Sequence, residues 1–173
     1  MNRKIFTIGH STRSLEELIE LLHSYKIKIL ADVRSIPGSK RFPHFNKENL
    51  EIKLSEEEIE YIHIEELGGR RRVNPFSHNI AWKNRSFRAY ADYMETDEFK
   101  NGIEKLISAA KEKNTAFMCS EAVWWKCHRS MISDYLKLKG WIVIHILGKN
   151  KTEEHPYTKQ AKIFQDSLFY NGN

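Results

Sequence analysis

Lys4-Ile5-Phe6-Thr7-Ile8-Gly9-His10, followed by Ser14-Leu15-Glu16-Glu17-Leu18-Ile19 and then by Ile27-Lys28-Ile29-Leu30-Ala31-Asp32-Val33, spells strand, helix, strand. The first run is apolar and rich in β-branched side chains, as a strand buried on both faces must be. Ser14 and Glu17 have capping-box spacing: the hydroxyl takes an orphan helix N–H and the carboxylate reaches back. Leu15, Leu18, Ile19 and Leu22 then recur at helical spacing and give one apolar face. The second apolar run ends at Asp32-Val33-Arg34. A strand–helix–strand unit of this kind demands a parallel pair joined by a right-handed crossover.

The pattern continues outward. Ser35 to Asn46 holds two prolines and a glycine and reads as an irregular loop. A short charged helix is predicted over Lys47 to Leu54, and a third strand over Ile59 to Ile64, closing at Gly68-Gly69. A long loop, Arg70 to Arg85, crosses Pro75; helical periodicity resumes near Ser86 and runs through Phe99, Ile103, Leu106, Ile107 and Ala110. Thr115 to Cys119 reads as a fourth strand. Cys127 to Lys139 reads as an amphipathic helix with Gly140 at its C′ position, and Trp141 to Leu147 as a fifth strand. The residues after Gly148, with His155-Pro156-Tyr157, receive no assignment. The expectation is one α/β domain over residues 1–173, with a mostly parallel five-stranded sheet and helices on both faces.

Composition agrees with a folded chain: 40% hydrophobic and 29% charged residues over 173 positions. No apolar stretch has the length of a signal peptide's core or of a membrane span, so a cytoplasmic protein without a membrane partner is expected. Two cysteines are too few for a disulfide framework, and in a reducing compartment they read as thiols. The formal net charge of +5 favours anionic partners, either an anionic small molecule or nucleic acid.

In open parallel sheets, ligands bind beyond the carboxyl ends of the strands. Here those ends carry His10-Ser11, Asp32-Val33-Arg34, Glu65-Glu66, Cys119-Ser120-Glu121 and His145. A structural turn needs only Gly, Asn or Ser, so this concentration of ionisable groups points to a site. Cys127-His128-Arg129 would stand at a helix start, where free N–H groups and the dipole lower a thiol pKa, and Cys127 becomes the candidate nucleophile. Cys119 reads equally as a second nucleophile or as a small core residue. His10 and His128 are acid/base candidates, with Asp32 or Glu121 orienting them; Glu121 alternatively caps the helix that follows. Arg34, Arg41 and Arg129, with Ser11, are candidate anion ligands, because forked guanidinium donors match phosphate and carboxylate; Arg34 reads equally as the partner of Asp32 in a structural ion pair.

Two further readings stay open. Arg70, Arg71, Arg72 and Arg88, interleaved with Phe76, Trp82 and Phe87, form a basic, aromatic segment of the kind that binds nucleic acid, or a solvated loop. No cofactor is predicted, although Cys119, Cys127 and His128 together have the ligand chemistry of a zinc site without its tight spacing.

On Thr7-Ile8-Gly9-His10-Ser11-Thr12, Asp32-Val33-Arg34, Arg41-Phe42-Pro43 and Glu66-Leu67-Gly68-Gly69-Arg70, the chain resembles the domain-of-unknown-function family 488. Phe87 to Met94, Cys119-Ser120-Glu121-Ala122, Cys127-His128-Arg129-Ser130 and His145-Ile146-Leu147-Gly148 extend the resemblance over nearly the whole length. It implies a fold and a set of residues, and no reaction.

Overall fold

A computed structural model describes residues 3–172; Met1, Asn2 and Asn173, the ends of the expected 1–173 domain, lie outside the described residues. The chain runs β1 (Lys4–Gly9), α1 (Leu15–Ser24), β2 (Ile29–Asp32), α2 (Lys47–Glu56), β3 (Glu60–His63), α3 (Arg85–Tyr93), α4 (Asp97–Glu112), β4 (Thr115–Cys119), α5 (Arg129–Leu138), β5 (Ile142–Gly148), β6 (Lys151–Glu154), β7 (Lys162–Phe164) and β8 (Ser167–Phe169). Single 3-10 turns occupy Pro43–Phe45, Glu65–Leu67 and Trp124–Lys126.

The central sheet has strand order β3-β2-β4-β1-β5-β6. The five expected strands are all parallel, and β6 adds a sixth on the β5 edge, antiparallel and bulged between Ile146 and Gly148. The five-stranded expectation is one strand short because Lys151 to Glu154 has no apolar alternation: it is an edge strand whose charged side chains face solvent. The β7–β8 hairpin, turned by Gln165 and Asp166 at positive φ, lies in the same unassigned tail.

Side chains along each strand alternate between two cores. Phe6, Ile8, Leu30, Ala116 and Met118 pack with Leu18, Leu22, Leu50 and Leu54 of α1 and α2. Ile5, Ala31, Phe117, Cys119 and Val143 face the other way, onto α3, α4 and α5 through Tyr90, Phe99, Leu106, Met131 and Leu136. The helices after β1 and β2 therefore cover one face and those after β3 and β4 the other. Right-handed crossovers require this arrangement when the chain steps one way along the sheet and then back.

Local signals explain the helix ends. The capping box forms, with Glu17 N–H donating to Ser14 Oγ at 3.1 Å. Gly140 ends α5 at φ +88°, the left-handed C′ position that only glycine fills cheaply. The periodic stretch from Ser86 to Ala110 is two helices rather than one, because Thr96 caps a new N-terminus by accepting from Phe99 N–H. The last helix starts at Arg129, two residues later than its periodicity implies, and Cys127 stands before it in an extended conformation.

Candidate functional site

Strand order sets where the chain opens. β4 sends its chain to the α5 face, whereas both of its neighbours, β1 and β2, send theirs to the α1–α2 face. Chains leaving adjacent strand ends in opposite directions leave a crevice between them. A cavity of about 670 Å³ lies there, lined among others by His10, Ser11, Arg34, Cys119, Cys127 and His128.

Two glycines and a strained serine let the walls close up. A Cβ on Gly9 would sit 1.6 Å from the Glu121 carbonyl oxygen, so only glycine lets β1 pass beneath the 121–122 segment. A Cβ on Gly69 would lie 2.7 Å from His128 Nδ1. Ser11 adopts φ 52°, which costs a non-glycine residue energy, and in that turn its N–H reaches the Ser120 carbonyl at 3.0 Å.

The thiols form the floor. Cys127 Sγ and Cys119 Sγ are 2.7 Å apart, both cysteines are free, and both are buried. Arg129 N–H donates to Cys127 Sγ at 3.4 Å, and His128 Nδ1 lies 3.4 Å from the same sulfur. His128 Nε2 donates to the Val33 carbonyl at 2.9 Å, which leaves Nδ1 as an acceptor facing Cys127. Burial pushes the Cys127 thiol up, but the Cys119 hydrogen bond, the Arg129 charge and the Arg129 backbone N–H outweigh it, and its pKa falls below the usual thiol value. Cys119 moves the opposite way, raised by burial and by its bond to Cys127. The two directions set the order of ionisation: of the pair, Cys127 is the thiol that loses its proton more readily.

Arg129 supplies the counter-charge, and it does so from behind the cavity. It is 1% exposed, and it is absent from the lining. Its guanidinium donates to the carbonyls of Glu121 at 2.9 Å and Ala122 at 3.5 Å and to Thr7 Oγ1 at 3.3 Å. Its Nε has no partner among the described residues, and none of their ion pairs includes it. A buried guanidinium without a carboxylate is expensive, and its charge favours ionisation of the neighbouring Cys127. The expected role of Arg129 as an anion ligand is thus corrected: its cation faces Cys127 and the loop carbonyls.

Asp32 and Arg34 make the opposite wall. Arg34 Nε and Nη2 donate to the two Asp32 oxygens at 2.9 and 2.7 Å, and Nη2 also donates to the Phe45 carbonyl at 2.7 Å. Tyr61 Oη donates to Asp32 Oδ2 at 2.6 Å. Asp32 therefore orients Arg34 and no histidine. His10, stacked on Phe45 at 4.2 Å, donates from Nδ1 to the Ser11 carbonyl at 2.9 Å and presents Nε2 to Arg34 Nη1 at 3.4 Å. Burial, helped by the Arg34 charge, lowers its pKa to about 4, so its ring is neutral near pH 7.

The rim is basic. Arg41, Arg70 and Lys126 line it with the aromatic edges of Phe42 and Phe87, and Glu121 is the only carboxylate among the described lining residues. Glu121 is exposed and does not cap α5, whose N-cap position belongs to His128 with no side-chain cap. Of the basic segment, Arg70 faces the cavity and Arg72 is exposed. Arg71 lies over the Tyr93 ring at 3.5 Å and donates to the Gly68 carbonyl, and Arg88 donates to the Trp82 carbonyl. Although Cys119, Cys127 and His128 converge, no group of three or more His, Cys, Asp or Glu among the described residues is placed to hold a metal ion. No described helix is long and apolar enough to cross a membrane.

The sequence reading missed Lys126, Phe42 and Tyr61 at this site, and behind it a buried chain. Thr7 Oγ1 meets His145 Nδ1 at 2.6 Å, His145 Nε2 meets His155 Nδ1 at 2.9 Å, and His155 Nε2 meets Asp134 Oδ1 at 2.8 Å. Tyr170 and Thr158 also donate to Asp134. The available signal was Asp134 itself, a charged residue placed among the apolar positions of α5.

The sequence model of the domain of unknown function DUF488 matches residues 14–136. This chain belongs to the DUF488 family. The DUF488 match takes in Asp32, Arg34, both cysteines, His128 and Arg129, while His10, Ser11 and His145 fall outside it. No curated protein and no solved structure matches the chain.

Proposed function

We propose that this DUF488 protein is an enzyme that acts on an anionic substrate, a phosphorylated metabolite, nucleotide or nucleic-acid moiety, through a Cys127 thiolate. One observation carries the reading: at the floor of the cavity the Cys127 sulfur accepts the Arg129 backbone N–H, and the buried Arg129 guanidinium has no carboxylate partner among the described residues. A thiolate stabilised in this way is a nucleophile near neutral pH. His128 Nδ1, kept unprotonated by burial, faces the sulfur as an acceptor, and Arg129 holds the thiolate charge once it has formed. Arg41, Arg70 and Lys126 draw the substrate's anionic group to the rim, and Arg34, locked by Asp32, is the rigid donor below them. Phe42 and Phe87 provide apolar edges for a base or another flat group.

The test is iodoacetamide labelling of the native protein against pH, with each cysteine located by mass spectrometry. Labelling of Cys127 that stays fast well below the pH at which free thiols lose reactivity supports the thiolate, and slowing by added pyrophosphate supports the anion site. If both cysteines stay inert until the protein unfolds, the reading fails. Binding of nucleic acid without catalysis, by the Arg70 to Arg88 segment, has less behind it, because Arg71 and Arg88 are spent on packing contacts. Retention of RNA or DNA that weakens steeply with salt, in a Cys127→Ala variant as well as in wild type, would favour that alternative instead.

A further inference from the structure

Cys119 has no part in the proposed nucleophilic chemistry beyond one hydrogen bond, yet it is fixed in an unusual place. It closes β4 in register with Gly9, and its sulfur faces Cys127 across 2.7 Å inside the cavity. Both cysteines line that cavity, so a small molecule entering it reaches the pair directly. The connecting segment, with its single 3-10 turn at Trp124–Lys126, holds the two sulfurs together without any movement of the sheet or of α5.

We infer that Cys119 and Cys127 form a hydroperoxide-sensitive dithiol, in which Cys127 is oxidised first and Cys119 resolves it to an intramolecular disulfide that closes the site reversibly. This rests on the reading of Cys127 as a nucleophile. In the first step the Cys127 sulfur attacks the terminal oxygen of a hydroperoxide. The O–O bond breaks, a Cys127 sulfenic acid forms, and the departing alkoxide or hydroxide takes a proton from water. In the second step the Cys119 sulfur attacks the sulfenic sulfur. The displaced hydroxyl leaves with the Cys119 proton as water, and the S–S bond forms. Two thiols have lost two electrons and the hydroperoxide has gained them. A dithiol reductant returns the pair to its starting state by exchange.

Two features give this pair the character of a switch. Cys119 is within bonding reach before any oxidant arrives, so the sulfenic acid is captured ahead of the second, irreversible oxidation. The disulfide also removes the thiolate that offsets Arg129, which leaves a buried cation unbalanced and favours return to the reduced form. Cys127 carries the vulnerability, and Cys119 prevents it from becoming damage.

The experiment treats the reduced full-length chain with hydrogen peroxide, quenches it, digests with trypsin and maps the cysteines by mass spectrometry. Cleavage after Lys126 separates Cys119 from Cys127, so the disulfide is read as two peptides joined, Asn114–Lys126 with Cys127–Arg129. The expected result is this joined pair as the main product, lost on adding dithiothreitol with full recovery of iodoacetamide labelling. In Cys119→Ser, dimedone should trap a Cys127 sulfenic acid, and continued exposure should give sulfinic acid that dithiothreitol cannot reverse; Cys119→Ala, checked for folding by circular dichroism, should behave alike. Wild-type Cys127 passing straight to sulfinic acid would overturn the inference. So would Cys127 staying unmodified while iodoacetamide still labels it at low pH, and either result leaves the proposed nucleophile standing. Indifference of Cys127 to both reagents would overturn the two together.

Discussion

Replacing Cys127 by serine should change the pH dependence of stability in a way that depends on whether the folded chain holds a thiolate. In the unfolded chain a cysteine ionises near pH ~8.5, so at pH ~8 and below the unfolded thiol keeps its proton. In the fold, the Cys119 hydrogen bond and Arg129 draw the Cys127 pKa below its usual value against the opposing effect of burial. Between those two values the unfolded state binds one more proton than the native state, and unfolding free energy rises with pH by about 1.4 kcal/mol per unit. The contribution is full above the unfolded pKa and is lost as pH falls through the folded one. Chemical denaturation of wild type and Cys127→Ser, both reduced, at half-unit steps from about pH 6 to 8 isolates it. The stability difference should widen towards alkaline pH within that window, at a slope approaching about 1.4 kcal/mol per unit above the folded pKa. Cys119, whose pKa is raised, contributes with the opposite sign only above about pH 8.5, outside the window. If Cys127 is a neutral thiol, the substitution leaves a constant offset of about 1 kcal/mol and no slope. A flat difference would therefore refute the thiolate and, with it, the role given to Arg129.

Other outcomes follow from the same geometry. Asp32→Asn should destabilise the fold by about 3–5 kcal/mol in urea melts, because it leaves Arg34 9% exposed and unbalanced; Tyr61→Phe, which removes one donor to Asp32, should cost about 1 kcal/mol. His10, with its pKa lowered to about 4 by burial, is neutral in the fold and charged in the unfolded chain between that pH and about 6.5. Its contribution is full above about pH 6.5 and falls by about 3 kcal/mol as pH drops to 4, so His10→Gln should flatten the acid limb of the stability profile. Gly9→Ala should cost about 3 kcal/mol or prevent folding, because its Cβ would meet the Glu121 carbonyl at 1.6 Å; a melting temperature equal to wild type would contradict the described turn. Arg41→Ala should weaken pyrophosphate binding by calorimetry and leave the melting temperature unchanged, since Arg41 is exposed at the rim.

The strands β1, β2 and β4 were legible because they are buried on both faces and read as apolar runs, and the edge strand β3 because its residues alternate. The strand β6 was not, because an exposed edge carries no such run, and Lys151-Thr152-Glu153-Glu154 looks like any solvated loop. Of the groups expected at the strand ends and at the start of α5, His10, Arg34, Cys119, Cys127 and His128 line one cavity, whereas Glu65, Glu66 and His145 do not. Their division of labour was not readable. The Asp32–Arg34 pair was one of two readings the sequence left open, whereas the place of Arg129 behind Cys127 was not, because it depends on strand order and on which face a helix covers. One chain gives no record of either. Asp134 and His155 escaped for the same reason, since they are 21 positions apart and meet only when the tail folds back over α5.

The sheet order also bears on how the chain is made. β1 pairs with β4 and β5 and with no other described strand; its partners, from Ala116 and Ile142 onward, are synthesised more than a hundred residues later. A ribosome-bound chain that has completed β1, β2 and β3 has a missing central strand, with β1 unpaired along both edges. Thr115 to Cys119 fills that gap, and the same insertion brings Cys119 against Gly9. The scaffold and the pocket are thus finished by one late event, and a nascent chain stalled before β4 exposes both edges of β1 and the facing edge of β2 to its neighbours and has no site at all.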